Sequence, residues 1–219
     1  MEVLRRAKEE DIDFAVPLII DSDPTIFGGI SFRQKVRNTR KLITTGSPLS
    51  MNFFLVYESN SRRVGVCSIY TREDMLSLSS KLCFQELSAA KLLDYQFVRK
   101  LLVLRDSMRL VVKSYQVYLG VLSLDRNYRG LGLGRRFLSR VINELKKEIV
   151  LDVLKSNRRA IEFYRSNGFS IVTELHKDYP TERNLRVKRS FKPEHQVDPP
   201  DEQVLGNVSA FSNIFRGAN

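Results

Sequence analysis

Glycine and arginine residues cluster at positions 128–136, and their spacing suits the binding of an anion. Gly130, Gly132 and Gly134 alternate with other residues, and the flanking arginines are Arg129, Arg135 and Arg136. Glycines leave the backbone uncrowded, so that several N–H groups can converge on one anion. The apolar spacing after the loop predicts an amphipathic helix, whose positive N-terminal end would help to hold that anion. The segment therefore predicts a phosphate or pyrophosphate cradle, although a plain turn would also explain the glycines.

The type of cradle can be narrowed by comparing motifs. A dinucleotide fingerprint needs Gly-x-Gly-x-x-Gly early in a strand–helix–strand unit, and a Walker A loop needs Gly-Lys-Ser/Thr. Neither pattern is present at this loop. The remaining pattern is Arg/Gln-x-x-Gly-x-Gly/Ala, formed here by Arg129, Gly132 and Gly134. It resembles the acetyl-CoA loop of the GNAT N-acetyltransferase superfamily, with one departure at Arg126, where many members have proline.

A second motif follows the glycine loop. Residues 149–154 predict a strand, and the residues after it predict a helix that Ser156 or Asn157 could cap. The pattern Asn-x-x-Ala-x-x-Phe-Tyr ends at Tyr164, is followed closely by Gly-Phe, and is similar to the second half of the GNAT cofactor site. Both motifs occur in the family's order and at its usual separation. The resemblance implies an α/β (α+β) GNAT fold, with a central mixed, mostly antiparallel sheet of six to seven strands flanked by helices.

The resemblance also implies that acetyl-CoA is the cosubstrate and assigns residues to it. In this family the strand before the glycine loop splays from its neighbour, so that its backbone pairs with the pantetheine arm and one N–H faces the thioester carbonyl. The residues so implied are Leu122, Ser123 and Leu124 in the strand, and Arg129, Gly130, Leu131, Gly132, Leu133, Gly134 and Arg135 in the loop. Asn157 would contact the pantetheine arm, a role compatible with capping its helix.

Two side chains are candidates for proton transfer. Tyr164 matches the tyrosine that in many family members donates a proton to the departing sulfur, and a phenol with a pKa of about 10 can protonate a thiolate whose conjugate acid has a pKa of about 8.5. Its alternative role is that of an ordinary aromatic core residue. Asp152 interrupts an apolar strand, where an unpaired carboxylate is costly. Some GNAT enzymes have an acid here that deprotonates the amine; otherwise Asp152 would bond to backbone N–H groups or an arginine.

The remaining pattern predicts the elements that hold these residues. The predicted strands are residues 3–6, 52–58, 64–71, 115–124, 149–154, 169–176 and 184–191. A helix opens near residue 9 and contains Pro17, which should kink it or mark its true start. A second helix is expected at about 31–45. Gly65 is predicted to mark a bulge or a close approach of the backbone.

The chain is expected to form one acetyltransferase domain, residues 1–191, with a polar tail at 192–219. Residues 72–114 are longer than the family minimum, and their apolar spacing predicts a helical insert found in a subset of the family. That insert could be a packed cap, a homodimer interface or substrate lid, or a basic membrane-surface helix. Ile26 and Phe27 could line the acceptor groove or pack in the core, and an apolar turn at 208–215 could dock on the domain or on a neighbouring molecule.

Composition argues against a membrane-spanning, secreted or metal-binding protein and leaves nucleic-acid binding open. The 219 residues carry a net charge of +11, which could attract nucleic acid or a ribosome, or could simply belong to a solvated surface. No apolar stretch approaches the roughly 20 residues of a transmembrane span, and no secretory signal is recognisable. Cys67 and Cys83 favour free thiols in a reducing cytoplasm, and His176 and His195 are too scattered for a metal site.

The resemblance, together with this composition, implies a cytoplasmic transferase, an N-acetyltransferase of the GNAT type without a metal. It would move the acetyl group directly from acetyl-CoA to a primary amine in a ternary complex. The amine could belong to a small molecule, a protein N-terminus or a lysine, because fold does not determine the acceptor. The alternatives are an enzyme for longer acyl chains and a CoA-binding regulatory module without turnover, docking on nucleic acid or a protein partner.

Overall fold

The computed structural model describes residues 1–23, 29–44, 49–81, 112–175 and 184–190. Several predicted features lie outside these residues. They are the loop with Ile26 and Phe27, the greater part of the insert at 72–114, Cys83, both histidines and the tail with its apolar turn at 208–215.

Seven strands and five helices position the site within the described residues. The strands are β1 (Glu2–Arg6), β2 (Phe54–Ser59), β3 (Arg62–Tyr70), β4 (Gln116–Leu124), β5 (Glu148–Leu154), β6 (Ser170–Leu175) and β7 (Asn184–Arg189). The helices are α1 (Ile12–Ser22), α2 (Phe32–Ile43), α3 (Arg72–Lys81), α4 (Leu133–Leu145) and α5 (Arg158–Ser166). Every predicted strand is present. Helix α3 forms the start of the predicted insert. Because α1 begins at Ile12, Pro17 lies inside the helix and does not mark its start.

The strands form one seven-stranded sheet in the order β1-β2-β3-β4-β5-β7-β6. Strands β4 and β5 are parallel, and the other neighbouring pairs are antiparallel. A parallel pair needs a crossover connection, and α4 lies in that crossover. The mixed, mostly antiparallel sheet predicted from the sequence is therefore confirmed.

The sheet buries a different set of helices on each face. On one face α4 and α5 pack on side chains such as Cys67, Leu119 and Leu151. On the other face α1 and α2 pack on Val66 and Val121. Since successive side chains of a strand point to opposite faces, a residue's neighbours show which face it occupies.

Gly65 in β3 has both of its predicted roles. The pairing register with β2 shifts beside it, between Tyr57 and Glu58. A Cβ atom at Gly65 would lie 2.7 Å from the Leu124 Cδ2 atom and 2.8 Å from the Ser123 carbonyl oxygen. The missing side chain thus lets β3 pack closely on the end of β4, just before the glycine loop.

We expect Gly65→Ala to destabilise the fold by about 1–3 kcal/mol, because the methyl group would meet a backbone oxygen that cannot move away cheaply. Denaturant unfolding measures this loss. Gly29→Ala is the matched control, since nothing lies within 4 Å of a Cβ atom built there. Equal stabilities for the two variants would contradict the close approach.

Asp11 forms a buried charge network that joins β1, α1 and β3. Its carboxylate accepts hydrogen bonds from Arg5 at 2.7 Å and 3.0 Å, from the Lys8 N–H at 2.8 Å and from Arg63 at 3.3 Å. Burial alone would raise the pKa of Asp11, but the bonds from Arg5 and Lys8 and the charge of Arg5 outweigh it and hold the pKa below its ordinary value.

This depressed pKa predicts a loss of stability in acid. The stabilisation is present above the unfolded-state pKa of about 3.9 and is lost as pH falls through the lower folded-state pKa. We expect Asp11→Asn to lose roughly 2–3 kcal/mol at pH 7, less than a fully buried pair, because Arg5 keeps Glu58 as a partner. Its stability should also depend less steeply on pH below about pH 4. Unfolding curves from pH 7 to 2 test this, with Glu144→Gln as the exposed-pair control; parallel pH profiles for Asp11→Asn and the wild type would refute it.

Candidate functional site

Strands β4 and β5 pair over only part of their lengths. Their register joins Gln116 to Glu148 and ends where Tyr118 meets Val150. Beyond this point β4 stays paired with β3 as far as Leu124, and β5 stays paired with β7 as far as Leu154. The two central strands therefore diverge, and Leu122, Ser123 and Leu124 lie on the stretch of β4 that has left β5. This is the splayed strand that the family resemblance implied.

A bulge in β4 lies where the divergence begins. The β3–β4 register shifts between Ser68 and Ile69, opposite Val121 and Leu119. The Val121 N–H donates to the Ser68 hydroxyl oxygen at 2.9 Å, so a side chain replaces a regular ladder partner. Bulges bend the strand that carries them and increase its twist. This bulge gives a local cause for the departure of β4 from β5.

The glycine loop leads into α4 in the way that an anion cradle requires. Gly130 and Gly132 have φ angles of 80° and 75°, in the left-handed region that glycine adopts without strain. Gly132 is the N-cap of α4 and brings no side-chain cap. The first N–H groups of an α-helix have no intrahelical acceptors, and here they stand at the positive end of the helix dipole. These donors suit a pyrophosphate.

The arginines around the loop are not equivalent. The Arg129 guanidinium donates to the Leu124 carbonyl oxygen from Nε at 2.9 Å and from Nη2 at 2.6 Å, and it also pairs with Asp21. Arg136 pairs with Glu2 at 3.0 Å. Arg135 is exposed and joins no ion pair with the described part of the chain. Of the two arginines predicted to meet the cofactor, Arg129 is paired with Asp21, whereas no residue in the described ranges neutralises Arg135.

Helix α5 reaches the loop and carries the candidate acid. A Cβ atom at Gly134 would lie 3.4 Å from the Phe163 ring, so the glycine lets α5 approach α4. Asn157 caps α5 by accepting a hydrogen bond from the Ala160 N–H at 3.0 Å, as its alternative role predicted. The predicted contact between Asn157 and the pantetheine arm stays a prediction.

Tyr164 packs on the face of the sheet that α4 and α5 cover. Its ring packs edge-on against Phe163 and Phe169, with ring centroids 5.3 Å apart in each pair. Burial raises the pKa of Tyr164, and the nearby Cys67 thiol acts in the same direction. Tyr164 packs against the core cluster that contains Cys67, and Cys67 pairs with Leu122 across β3 and β4, so Tyr164 lies on the face of the sheet to which Cys67 and Leu122 point. A raised pKa keeps this phenol protonated at neutral pH.

Asp152 lies on the opposite face of the sheet. Its neighbours Leu151 and Val153 pack with α4 and α5, so the half-buried Asp152 side chain points to the other face. There its carboxylate accepts a hydrogen bond from the Tyr118 hydroxyl at 3.2 Å. Sequence reasoning missed Tyr118 as a partner. The contact follows from the parallel register, in which Tyr118 meets Val150, two residues before Asp152, and that register is not visible in the sequence.

A phenol and a carboxylate thus lie on opposite faces of the sheet, Tyr164 with the cluster under α4 and α5 and Asp152 beside the Tyr118 hydroxyl. Tyr164 can donate a proton on the α5 face, and Asp152 can accept one on the α1 face. An acyl group held in the opening would have an acid on one side and a base on the other. This arrangement suits transfer between two molecules that enter from different faces.

The described residues contain neither a cluster of possible metal ligands nor a helix suited to span a membrane. Among the residues described, no group of three or more His, Cys, Asp or Glu side chains is placed to hold a metal ion. Across the same residues, every helix is too short or too polar to cross a membrane.

Comparisons with known proteins agree with this geometry. The family model described as "Acetyltransferase (GNAT) family" matches residues 9–169. The [Ribosomal protein bS18]-alanine N-acetyltransferase of Escherichia coli (strain K12) is 41% identical over 64 residues, which are 27% of this chain and 43% of that relative. The match to this curated relative thus spans less than half of its length.

Two solved structures share the fold at low identity. An N-acetyltransferase from Staphylococcus aureus Mu50 has a TM-score of 0.61 and 17% identity, with 85% of this chain and 99% of that chain covered. The PaiA N-acetyltransferase of Thermoplasma acidophilum, solved in complex with coenzyme A, has a TM-score of 0.51 and 13% identity, with 87% and 99% covered.

We predict that Arg135→Ala weakens CoA binding by about 1–2 kcal/mol, roughly five- to thirtyfold, because it removes a charge-assisted contact to a phosphate. Titration calorimetry with CoA measures the change. Arg140→Ala is the control, since Arg140 lies further along the same helix and pairs with Glu144 at 3.1 Å. Equal effects of the two substitutions would show that Arg135 acts only through general charge.

Proposed function

Because the chain belongs to the acetyltransferase (GNAT) family, we propose that it transfers the acetyl group of acetyl-CoA to a primary amine. The observation that carries this proposal is the opening between β4 and β5, with Tyr164 on one face and Asp152 on the other. A domain that only bound CoA would have no need of an acid and a base on either side of the acyl position. The cytoplasmic setting predicted from the sequence is part of the proposal.

Acetyl-CoA would supply an activated thioester, and the protein would hold it along β4 and the glycine loop. The N–H groups at the start of α4 and the Arg135 guanidinium fit the pyrophosphate. The exposed edge of β4 at Leu122, Ser123 and Leu124 can pair with the amides of the pantetheine arm. A backbone N–H near Leu124 can stabilise the carbonyl oxygen as negative charge develops on it.

The two polar side chains have complementary tasks in this proposal. Asp152 accepts a proton from the amine, directly or through water, and its bond to the Tyr118 hydroxyl orients the carboxylate. Tyr164 donates a proton to the departing sulfur. The amine attacks the acyl carbon directly in a ternary complex, so no acyl-enzyme forms. In this scheme the amine loses its proton on the α1 face of the sheet, and the sulfur of CoA gains a proton on the α5 face.

We propose that the acceptor is the N-terminal amine of a protein. The Escherichia coli relative is named for an alanine of a ribosomal protein, which supports a protein acceptor here. Chemistry favours the same choice: an α-amine has a pKa of about 7.7–8.0, against about 10.4 for lysine. A larger fraction of the α-amine is neutral at pH 7, so a carboxylate such as Asp152 suffices as its base.

Thiol release from acetyl-CoA tests the function with a small panel of acceptors. The panel holds a peptide with a free N-terminal alanine, the same peptide with a blocked N-terminus and an internal lysine, and small amines. We expect turnover with the free N-terminus alone. Transfer to lysine or to small amines would contradict the N-terminal amine as the acceptor. Tight CoA binding without any turnover would contradict the enzyme activity and favour a CoA-binding module.

Tyr164→Phe should lower kcat by about 10²–10⁴-fold while CoA affinity stays close to that of the wild type, since the phenylalanine keeps the ring and loses only the proton donor. Steady-state kinetics and CoA titration measure the two effects. Tyr115→Phe, which removes an exposed hydroxyl outside the site, is the matched control. An unchanged kcat in Tyr164→Phe would remove the tyrosine from the mechanism.

A further inference from the structure

We propose that Asp21 is a positioning residue for the cofactor loop: it holds Arg129 on the end of β4 and so sets the affinity for acetyl-CoA. Sequence reasoning did not single out this residue, which is more than a hundred positions from the loop. The inference rests on the proposed function, because it concerns the binding of the same cosubstrate.

Asp21 stands on a rigid support. It lies in the last turn of α1, and α1 packs on the sheet through Ala15, Val16 and Ile19, which are 0–1% exposed. Its own side chain is 20% exposed, so the carboxylate is largely withdrawn from water. A carboxylate fixed in this way can define the position of the groups that bind it.

Two arginines of the β4–α4 connection meet on this one carboxylate. Oδ1 pairs with Arg126 and Oδ2 pairs with Arg129. The hydrogen bond from Arg126, together with the bond and charge of Arg129, outweighs burial and lowers the pKa of Asp21, so it is ionised at neutral pH. Arg126 begins a short 3-10 turn, Arg126–Tyr128. The carboxylate therefore holds both ends of the segment that enters the glycine loop.

The contact between Asp21 and Arg129 extends directly to β4, the strand predicted to bind the cofactor. The same guanidinium that pairs with Asp21 donates twice to the carbonyl oxygen of Leu124, the last residue of β4. The Nη2 atom donates to both Asp21 and the Leu124 oxygen, and the guanidinium is a rigid plane, so holding Nη2 on Asp21 also holds Nε against Leu124. Asp21, Arg129 and the Leu124 carbonyl thus form one chain of contacts from α1 to the point where the strand becomes the loop.

The two ion pairs of Asp21, with Arg126 and with Arg129, should differ in strength. The Arg126 side chain is 78% exposed, and solvent weakens such a pair. The Arg129 side chain is 35% exposed and has the Leu124 oxygen as a second acceptor. Most of the positioning therefore passes through Arg129.

Two roles are conceivable for Asp21, cancelling positive charge or positioning Arg129, and they predict opposite changes in CoA affinity when Asp21 is neutralised. If Asp21 merely cancelled positive charge beside a phosphate site, its removal would leave two arginines uncompensated and tighten CoA binding. If it positions Arg129, its removal lets the guanidinium leave the Leu124 carbonyl and weakens binding. The sign of the change in affinity separates the two accounts.

The test compares Asp21→Asn and Asp21→Glu with Asp13→Asn. Asp13 is a matched control because it lies on the same helix and pairs with Arg40, but is exposed. For Asp21→Asn we expect the Kd for CoA and the KM for acetyl-CoA to rise roughly three- to tenfold, within the range of coupled contacts. The kcat and the KM for the acceptor peptide should stay unchanged. Asp21→Glu keeps the charge and should recover part of the affinity.

Each outcome decides between the accounts. Tighter or unchanged CoA binding in Asp21→Asn, or an equal loss in Asp13→Asn, overturns the positioning role. A loss of melting temperature that accounts for the loss of binding in both Asp21 variants overturns it as well. If the wild-type protein binds no CoA, the proposed function fails first, and the calorimetric titration of the wild type reveals this before any variant is measured.

Discussion

The divergence of β4 from β5 is the constraint on which the rest of the structure depends. Two parallel strands that pair fully leave no backbone group for a ligand, whereas strands that separate expose a row of N–H and C=O groups that need partners. Here the separation begins after Tyr118 and continues to the end of both strands. The fold therefore keeps a stretch of incomplete sheet at its centre, where a ligand with amide groups can complete the hydrogen bonding.

Holding this opening requires support from several directions. The bulge beside Ser68 bends β4 away from β5, and the missing side chain of Gly65 lets β3 pack on the departing strand. Helices α4 and α5 pack on one face of the sheet, and α1 packs on the other. Because helices lie on both faces of the sheet, side chains from either layer can be directed at the opening between β4 and β5.

The features predicted correctly from the sequence are those set by local physics. The glycine spacing, the amphipathic period of α4 and the cap at Asn157 involve neighbours along the chain, and each is present in the structure. Contacts between distant segments were not predictable in the same way. The bond from Tyr118 to Asp152 depends on the register of two strands, and the contact of Asp21 with Arg126 and Arg129 depends on how α1 packs across the sheet.

Ion pairs between distant segments also affect the role of the arginines near the glycine loop. The sequence places Arg129, Arg135 and Arg136 where a phosphate would lie, yet the structure pairs Arg129 with Asp21 and Arg136 with Glu2. Much of the local positive charge is used to fix the loop in place. Affinity for a pyrophosphate would then come mainly from oriented backbone N–H groups, the dipole of α4 and Arg135. Such fixed donors lose little entropy when they bind, so a few held in place can serve better than many mobile lysines and arginines.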